Sequence, residues 1–137
     1  MTPTVNTESA GARSPAVLII DDDDAIRALS QWVIQRAGYP ALTARDGPEG
    51  LATFESNRES IGLVLLDLTM PRMTGAEVLG ELQKLGIRVP IILITGYGED
   101  AVREDERVGV RGVLQKPFTP DNLRELLDTH LKGAAQV

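Results

Sequence analysis

Short apolar segments alternate with segments of helical periodicity along the chain, and this alternation restricts the fold more than any other feature. Each segment has five or six residues, and AVLII, IGLVLL and VPIILI are rich in valine, isoleucine or leucine, whereas YPALTA is a more modest strand candidate. Continuous apolar runs of this length, bounded by polar residues, are typical of strands that are buried on both faces. The predicted strands are AVLII (16–20), YPALTA (39–44), IGLVLL (61–66), VPIILI (89–94) and VRGVLQ (110–115).

The segments between and after these strands carry apolar residues three and four positions apart, which predicts helices. The predicted helices cover 24–37, a segment that opens at DGPEG (46–50), 73–86, 99–108 and 119–131. Gly38 and Gly86 are typical helix stops, and Thr119 before Pro120 is a typical helix start. Strands that alternate with helices pair in parallel through right-handed crossovers. The sequence therefore predicts an α/β fold, with an open doubly wound five-stranded parallel sheet and helices on both faces.

Length and composition limit the range of functions. A chain of 137 residues suits one domain, and we expect a flexible N-terminal tail at 1–15, the domain at 16–132 and a short C-terminal tail at 133–137. The net charge of −6 disfavours direct nucleic-acid binding, and the lack of cysteine excludes disulfides and thiolate metal sites. No apolar run approaches the ~20 residues that cross a bilayer, so we expect a cytoplasmic protein without a membrane segment.

Polar residues of the kinds that bind ligands or take part in catalysis follow four of the predicted strands. Asp21 and Asp22 follow the first strand, Asp67 follows the third, Thr95 the fourth and Lys116 the fifth. In open α/β sheets, ligands bind at the carboxyl ends of the strands. We therefore expect three carboxylates, a hydroxyl and an ammonium group to converge on one edge of the sheet.

These residue types favour phosphoryl chemistry at that edge. Three neighbouring carboxylates raise one another's pKa unless a cation compensates their charge. Oxygen ligands without cysteine suit Mg²⁺, with Mn²⁺ as an alternative. Lys116 and Thr95 suit the oxygens of a phosphoryl group. Together the groups indicate phosphoryl transfer to an aspartate.

Four motifs resemble those of the response-regulator receiver domain of two-component signalling: LIIDDDDAIR, LVLLDLTMPRMTG, ILITGYG and GVLQKPF. The resemblance runs from about Val17 to Leu131, and it fits the receiver of a hybrid histidine kinase or a single-domain response regulator. It implies a flavodoxin-like strand order, 2-1-3-4-5. It also implies a phosphorelay switch that takes its phosphoryl group from a histidine kinase or a histidine phosphotransfer protein. Catalysis is then confined to the protein's own phosphorylation and slow autodephosphorylation. The resemblance does not decide between a monomer and a homodimer.

The resemblance also assigns roles to individual residues. It implies that Asp67 is the phosphoacceptor and a metal ligand. Asp22 would bind Mg²⁺ directly and Asp21 through water, and the backbone carbonyl of Thr69 would complete the protein ligands.

On the side of the phosphoryl group, the resemblance implies a hydrogen bond from Thr95 and an ion pair with Lys116. A cis peptide before Pro117 is often found in the family. One position departs from the family pattern, because Val113 stands where an aromatic residue often turns inward during activation. Tyr97 is a candidate for an alternative aromatic reporter.

Alternatives from other classes stay open at this point. Asp21 and Asp23 have the D-x-D spacing of aspartate-nucleophile phosphohydrolases, although Ala25 departs from that pattern. A receiver-like interaction module that is not phosphorylated is a further alternative. For Asp23 and Asp24 we expect helix capping or solvated charge. Trp32 lies at the edge of the first helical stripe, where we expect it to flank the core.

Overall fold

The computed structural model of the protein describes residues 14–70, 73–96 and 109–135. The strands within these ranges are β1 (Ala16–Ile20), β2 (Ala41–Ala44), β3 (Ile61–Asp67), β4 (Ile91–Thr95) and β5 (Val110–Gln115). The helices are α1 (Asp24–Arg36), α2 (Gly47–Ser56), α3 (Gly75–Lys84) and α4 (Pro120–Ala135). The helix predicted over 99–108, Tyr97 and most of the predicted N-terminal tail lie outside the described residues.

The strands form one five-stranded parallel sheet in the order β2-β1-β3-β4-β5, which confirms the predicted fold and strand order. The chain runs from β1 outward to β2 and then crosses to β3 on the other side of β1. Ile20 at the end of β1 stands opposite Ala44 of β2 and Leu66 of β3. The order of the strands therefore reverses between β1 and β3, and this is where a doubly wound sheet leaves a crevice for a ligand.

The core lies in two layers, one on each face of the sheet. Side chains alternate along the strands, so Leu18 and Ile20 face the layer under α2 and α3, while Val17 and Ile19 face the layer under α1 and α4. All residues of β1 are buried. This double burial explains why the central strands are apolar throughout and show no alternation with polar residues.

Short polar motifs determine where the helices begin. The Asp23 side chain accepts hydrogen bonds from the N–H groups of Ala25 and Ile26, at 2.8 and 3.2 Å, and so caps α1 as expected. Thr74 and Glu77 form a reciprocal capping box at the start of α3. Of the described helices, none combines the length and the apolar character needed to cross a bilayer.

The strand and helix limits differ from the predicted ones by a few residues. β2 begins at Ala41 and β4 at Ile91, each directly after a proline. Proline has no N–H group to donate to a neighbouring strand, so pairing starts at the next residue. α4 continues to Ala135, beyond Leu131, the last residue of the predicted helix.

Trp32 is 54% exposed, so the expectation that it flanks the core is wrong. The Arg36 guanidinium lies over its ring, 5.1 Å from the centroid. The buried residues of α1 are Ser30, Val33 and Ile34. At about 100° per residue, Trp32 is far around the helix from Ile34. The buried face of α1 therefore lies closer to Ser30 than the apolar pattern predicts. Because Ser30 is polar, that pattern does not include it.

Ser30 provides a test of packing in this layer. Its hydroxyl is buried and has no hydrogen-bond partner among the described residues. Because an unpaired buried polar group is destabilising, we expect Ser30→Ala to increase the free energy of unfolding by about 1 kcal/mol. Urea unfolding measures the change. Exposed Ser56 is the control, and Ser56→Ala should change stability by less than about 0.5 kcal/mol. A loss of stability in Ser30→Ala would contradict the unpaired state of the hydroxyl.

Candidate functional site

Three carboxylates meet at the carboxyl edge of β1 and β3. Asp67 is the last residue of β3 and Asp21 directly follows β1, and both are fully buried. The Asp21 N–H donates to the Ala44 carbonyl at 3.1 Å, which extends the pairing between β1 and β2 by one residue. Asp22 is exposed. One carboxylate oxygen from each of Asp21, Asp22 and Asp67 lies within 4.8 Å of the others.

Lys116 completes this group from the turn after β5. Its Nζ atom lies 3.5 Å from Asp21 Oδ2 and 3.6 Å from Asp67 Oδ2. The Lys116 N–H donates to the Thr95 carbonyl at 2.8 Å, and the peptide between Lys116 and Pro117 is cis. One ammonium group therefore faces two buried carboxylates.

Thr95 is the last residue of β4, the strand next to β3, and it is buried. Ile94, which precedes it, stands opposite Asp67 in the parallel register. Thr69 lies two residues beyond Asp67, and its N–H donates to Asp67 Oδ1 at 3.1 Å. Thr95 and Thr69 thus lie at the same edge of the sheet as Asp21, Asp67 and Lys116.

Burial dominates the electrostatics of the two inner carboxylates. Burial, with a smaller contribution from the Asp21 charge, raises the pKa of Asp67 to about 7, although the Thr69 N–H and the Lys116 ammonium oppose the shift. The pKa of Asp21 is also raised, again mainly by burial. One ammonium group therefore supplies too little positive charge to keep the pKa values of both acids in their ordinary range.

The donor set fits a hard divalent cation. Asp21 Oδ2 and Asp67 Oδ2 are buried, and neither has a hydrogen-bond partner within the ranges that the structure describes. Oxygen atoms of this kind are the ligands that Mg²⁺ prefers. The exposed Asp22 would give such an ion access to water, which Mg²⁺ retains in most protein sites.

The start of α3 lies directly against the backbone of Asp67. The Gly75 N–H donates to the Leu68 carbonyl at 3.2 Å, and a Cβ atom at Gly75 would collide with the Asp67 carbonyl oxygen and the Leu68 Cα. Only glycine allows this approach. The sequence motif that contains Gly75 did not predict this contact, because the contact arises when α3 packs back onto the end of β3.

Arg27 is a second residue that sequence reasoning missed. Its Nη1 donates to the Asp21 carbonyl at 2.8 Å, and its Nη2 pairs with Asp24. The available signal was an arginine close to a run of four aspartates, one turn into the following helix.

The comparisons with known proteins agree with this geometry. The model of the response regulator receiver domain matches residues 17–128. The chain belongs to this family. Receiver domains are the parts of two-component response regulators that are phosphorylated on an aspartate. This confirms the family and the general function that the motifs predicted.

Relatives and solved structures support the assignment over most of the chain. Transcriptional regulatory protein GlrR of Escherichia coli (strain K12) is 36% identical over 121 residues, which is 87% of this chain but 27% of GlrR. The chain thus spans well under half the length of that relative. Sporulation initiation phosphotransferase F of Bacillus subtilis (strain 168) is 33% identical over 84% of this chain and 92% of its own length. A structure of response regulator TrrA from Thermotoga maritima, in complex with Mg²⁺ and BeF, has a TM-score of 0.75 at 33% identity, covering 85% of this chain and 99% of TrrA.

Two glycines of α3 allow a matched test of the site's packing. Gly75→Ala should lower the free energy of unfolding by about 1–3 kcal/mol, because the methyl group would displace the backbone at Asp67 and Leu68. Gly80→Ala is the control, since a Cβ there has no neighbour within 4 Å. It should raise stability by about 0.5–1 kcal/mol. Urea unfolding of both variants checks the pair, and equal effects would contradict the close approach.

The raised pKa of Asp67 predicts a pH dependence of stability in the metal-free receiver domain. Between the ordinary value of 3.8 and about 7, the folded state holds a proton that the unfolded state has lost. The stability contributed by Asp67 is therefore complete below pH 3.8 and is lost as the pH rises through 7. Urea unfolding with a chelator at several pH values, for wild type and Asp67→Asn, isolates the effect. The stability of wild type relative to the variant should fall as the pH rises, and a rise would contradict the assignment.

Proposed function

We propose that Asp67 accepts a phosphoryl group from the phosphohistidine of a histidine kinase or a histidine phosphotransfer protein and later loses it by slow hydrolysis. The observation that carries this proposal is the position of the Asp67 carboxylate. It is buried at the switch point of the sheet, beside Asp21 and 3.6 Å from the Lys116 ammonium group.

The transfer exchanges one bond to phosphorus for another. A carboxylate oxygen of Asp67 attacks the phosphorus atom, and the P–N bond of the phosphohistidine breaks. The electron pair of that bond stays on the imidazole nitrogen. Because the other ring nitrogen of the phosphohistidine carries a proton, the imidazole leaves as a neutral ring. The product on Asp67 is an acyl phosphate. The chain contributes position and charge neutralisation, which dominate phosphoryl-transfer catalysis.

A divalent cation completes the charge balance in this proposal. Asp21, Asp22, Asp67 and the backbone carbonyl of Thr69 would hold Mg²⁺, with Mn²⁺ as a substitute. When bound, the cation neutralises the carboxylates and the phosphoryl oxygens. The buried Oδ2 atoms of Asp21 and Asp67, which accept no hydrogen bond from the described residues, support this choice, as does the Mg²⁺ in the TrrA complex.

Lys116 and Thr95 would stabilise the phosphoryl group on Asp67. A phosphoryl group adds about −1.5 to −2 charges next to carboxylates that are already buried. The Lys116 ammonium already faces this point and would pair with a phosphoryl oxygen. The Thr95 hydroxyl, at the end of the neighbouring strand, would donate a hydrogen bond to another oxygen.

The phosphohydrolase alternative is disfavoured by the position of Asp23. Such an enzyme would use Asp23 as an acid–base group next to a nucleophilic Asp21. In this fold Asp23 is exposed, and its Oδ1 accepts the N–H groups of Ala25 and Ile26 as the cap of α1. Asp67, in contrast, has a carboxylate oxygen within 4.8 Å of one from Asp21, as the receiver assignment requires.

The proposed donor also bears on location and on nucleic-acid binding. Phosphohistidine donors suit a cytoplasmic receiver, and we propose that compartment. The net charge of −6 supports contact with a protein donor and disfavours direct contact with nucleic acid.

Phosphorylation by a small phosphodonor tests the assignment. Wild-type protein incubated with acetyl phosphate and Mg²⁺ should gain one phosphoryl group by intact-protein mass spectrometry, and chelation of the metal should abolish the gain. Asp67→Asn should remain unmodified, because it lacks the nucleophile. Exposed Asp128 is the control, and Asp128→Asn should be modified like wild type. Undiminished modification of Asp67→Asn would rule out Asp67 as the acceptor.

A further inference from the structure

Arg27 lies on α1 outside the set of carboxylates, yet it holds the segment that carries two of them. We infer that Arg27 is a positioning residue that sets the geometry of the Asp21–Asp22 segment for Mg²⁺. This inference rests on the proposed function, because it concerns the cation assigned there. It adds a residue that neither the motif roles nor the carboxylate geometry includes.

The Arg27 guanidinium makes two different contacts at once. Its Nη1 donates to the backbone carbonyl of Asp21 at 2.8 Å, and its Nη2 pairs with the Asp24 side chain. The arginine side chain is only 17% exposed, whereas Asp24 is 91% exposed. The better protected contact is therefore the one to the carbonyl. The planar fork of arginine can bridge two acceptors in this way, which a single ammonium group does less well.

The same short segment has further backbone anchors. The Asp23 N–H donates to Asp21 Oδ1 at 2.9 Å, and the Arg27 N–H donates to the Asp23 carbonyl at 3.0 Å. Asp22 thus stands between two residues that are both held by hydrogen bonds. When the Arg27 contact is lost, the Asp21 carbonyl loses this anchor, and the peptide that joins Asp21 to Asp22 is held less firmly.

The charge of Arg27 acts in the opposite direction to its positioning effect. A guanidinium close to a cation site repels the cation, so removal of the charge alone would strengthen binding. This repulsion is the same for any divalent ion in the site. Geometry, in contrast, distinguishes between ions. Mg²⁺ demands near-ideal octahedral ligands at about 2.0–2.1 Å, whereas Ca²⁺ accepts irregular ligands at about 2.3–2.6 Å.

The preference for Mg²⁺ over Ca²⁺ therefore separates positioning from charge. We expect Arg27→Gln and Arg27→Lys to weaken Mg²⁺ binding at least about tenfold, the usual effect of losing a group that orients a metal ligand. Ca²⁺ binding should change much less, so the Mg²⁺ preference should fall. Amide NMR titrations with each chloride salt give both dissociation constants, and the same spectra report whether each variant is folded.

Arg27→Lys is the stricter test because it keeps the positive charge. It also tests the inference if Arg27→Gln does not fold. Asp24→Asn is the matched control, because it removes the ion pair but leaves the carbonyl contact of Arg27 in place. It should weaken both cations alike and leave their ratio at the wild-type value. A ratio that shifts as much in Asp24→Asn as in Arg27→Lys would overturn the inference.

An unchanged ratio in Arg27→Lys, with wild type binding Mg²⁺, would overturn this inference and leave the proposed function standing. Wild-type protein that binds neither cation and gains no phosphoryl group from acetyl phosphate would overturn both. The two failures are therefore distinguishable in the same set of samples.

Discussion

The burial of two carboxylates side by side is the interaction on which the rest of the site depends. Asp21 and Asp67 are removed from water at the ends of neighbouring strands, and only Lys116 among the described residues is ion-paired with both. Such a pair is tolerated only where positive charge compensates it. A divalent cation would supply that charge. The repulsion between the two carboxylates, which Lys116 compensates only in part, is thus what favours cation binding at this edge of the sheet.

Most of the fold could be predicted from the sequence, because burial on both faces imposes continuous apolar runs on the central strands. The alternation with helices then required parallel pairing. The order of the strands came from the family resemblance, since apolar runs of similar composition do not specify their neighbours. Trp32 was misplaced for a physical reason. An apolar pattern does not define the limits of the buried face of a helix, and the buried face of α1 includes the polar residue Ser30.

The positions of the site residues could also be predicted, because each follows a strand and the strand ends share one edge. The residues that support the site could not. Gly75 packs against the backbone of Asp67 and donates to the Leu68 carbonyl, and Arg27 donates to the Asp21 carbonyl. Contacts to backbone atoms leave no pattern in the side chains of their partners, so only the folded chain shows them. They also suggest that positioning of the carboxylates is distributed over α1 and α3.

The most direct test of the account is to locate the phosphoryl group on the chain. Borohydride reduces an aspartyl phosphate to homoserine, and peptide mass spectrometry then identifies the converted residue. After treatment with acetyl phosphate and Mg²⁺, the account predicts homoserine at position 67, with Asp21, Asp22 and Asp23 unchanged. Conversion at Asp21 or Asp23 in place of Asp67 would contradict it.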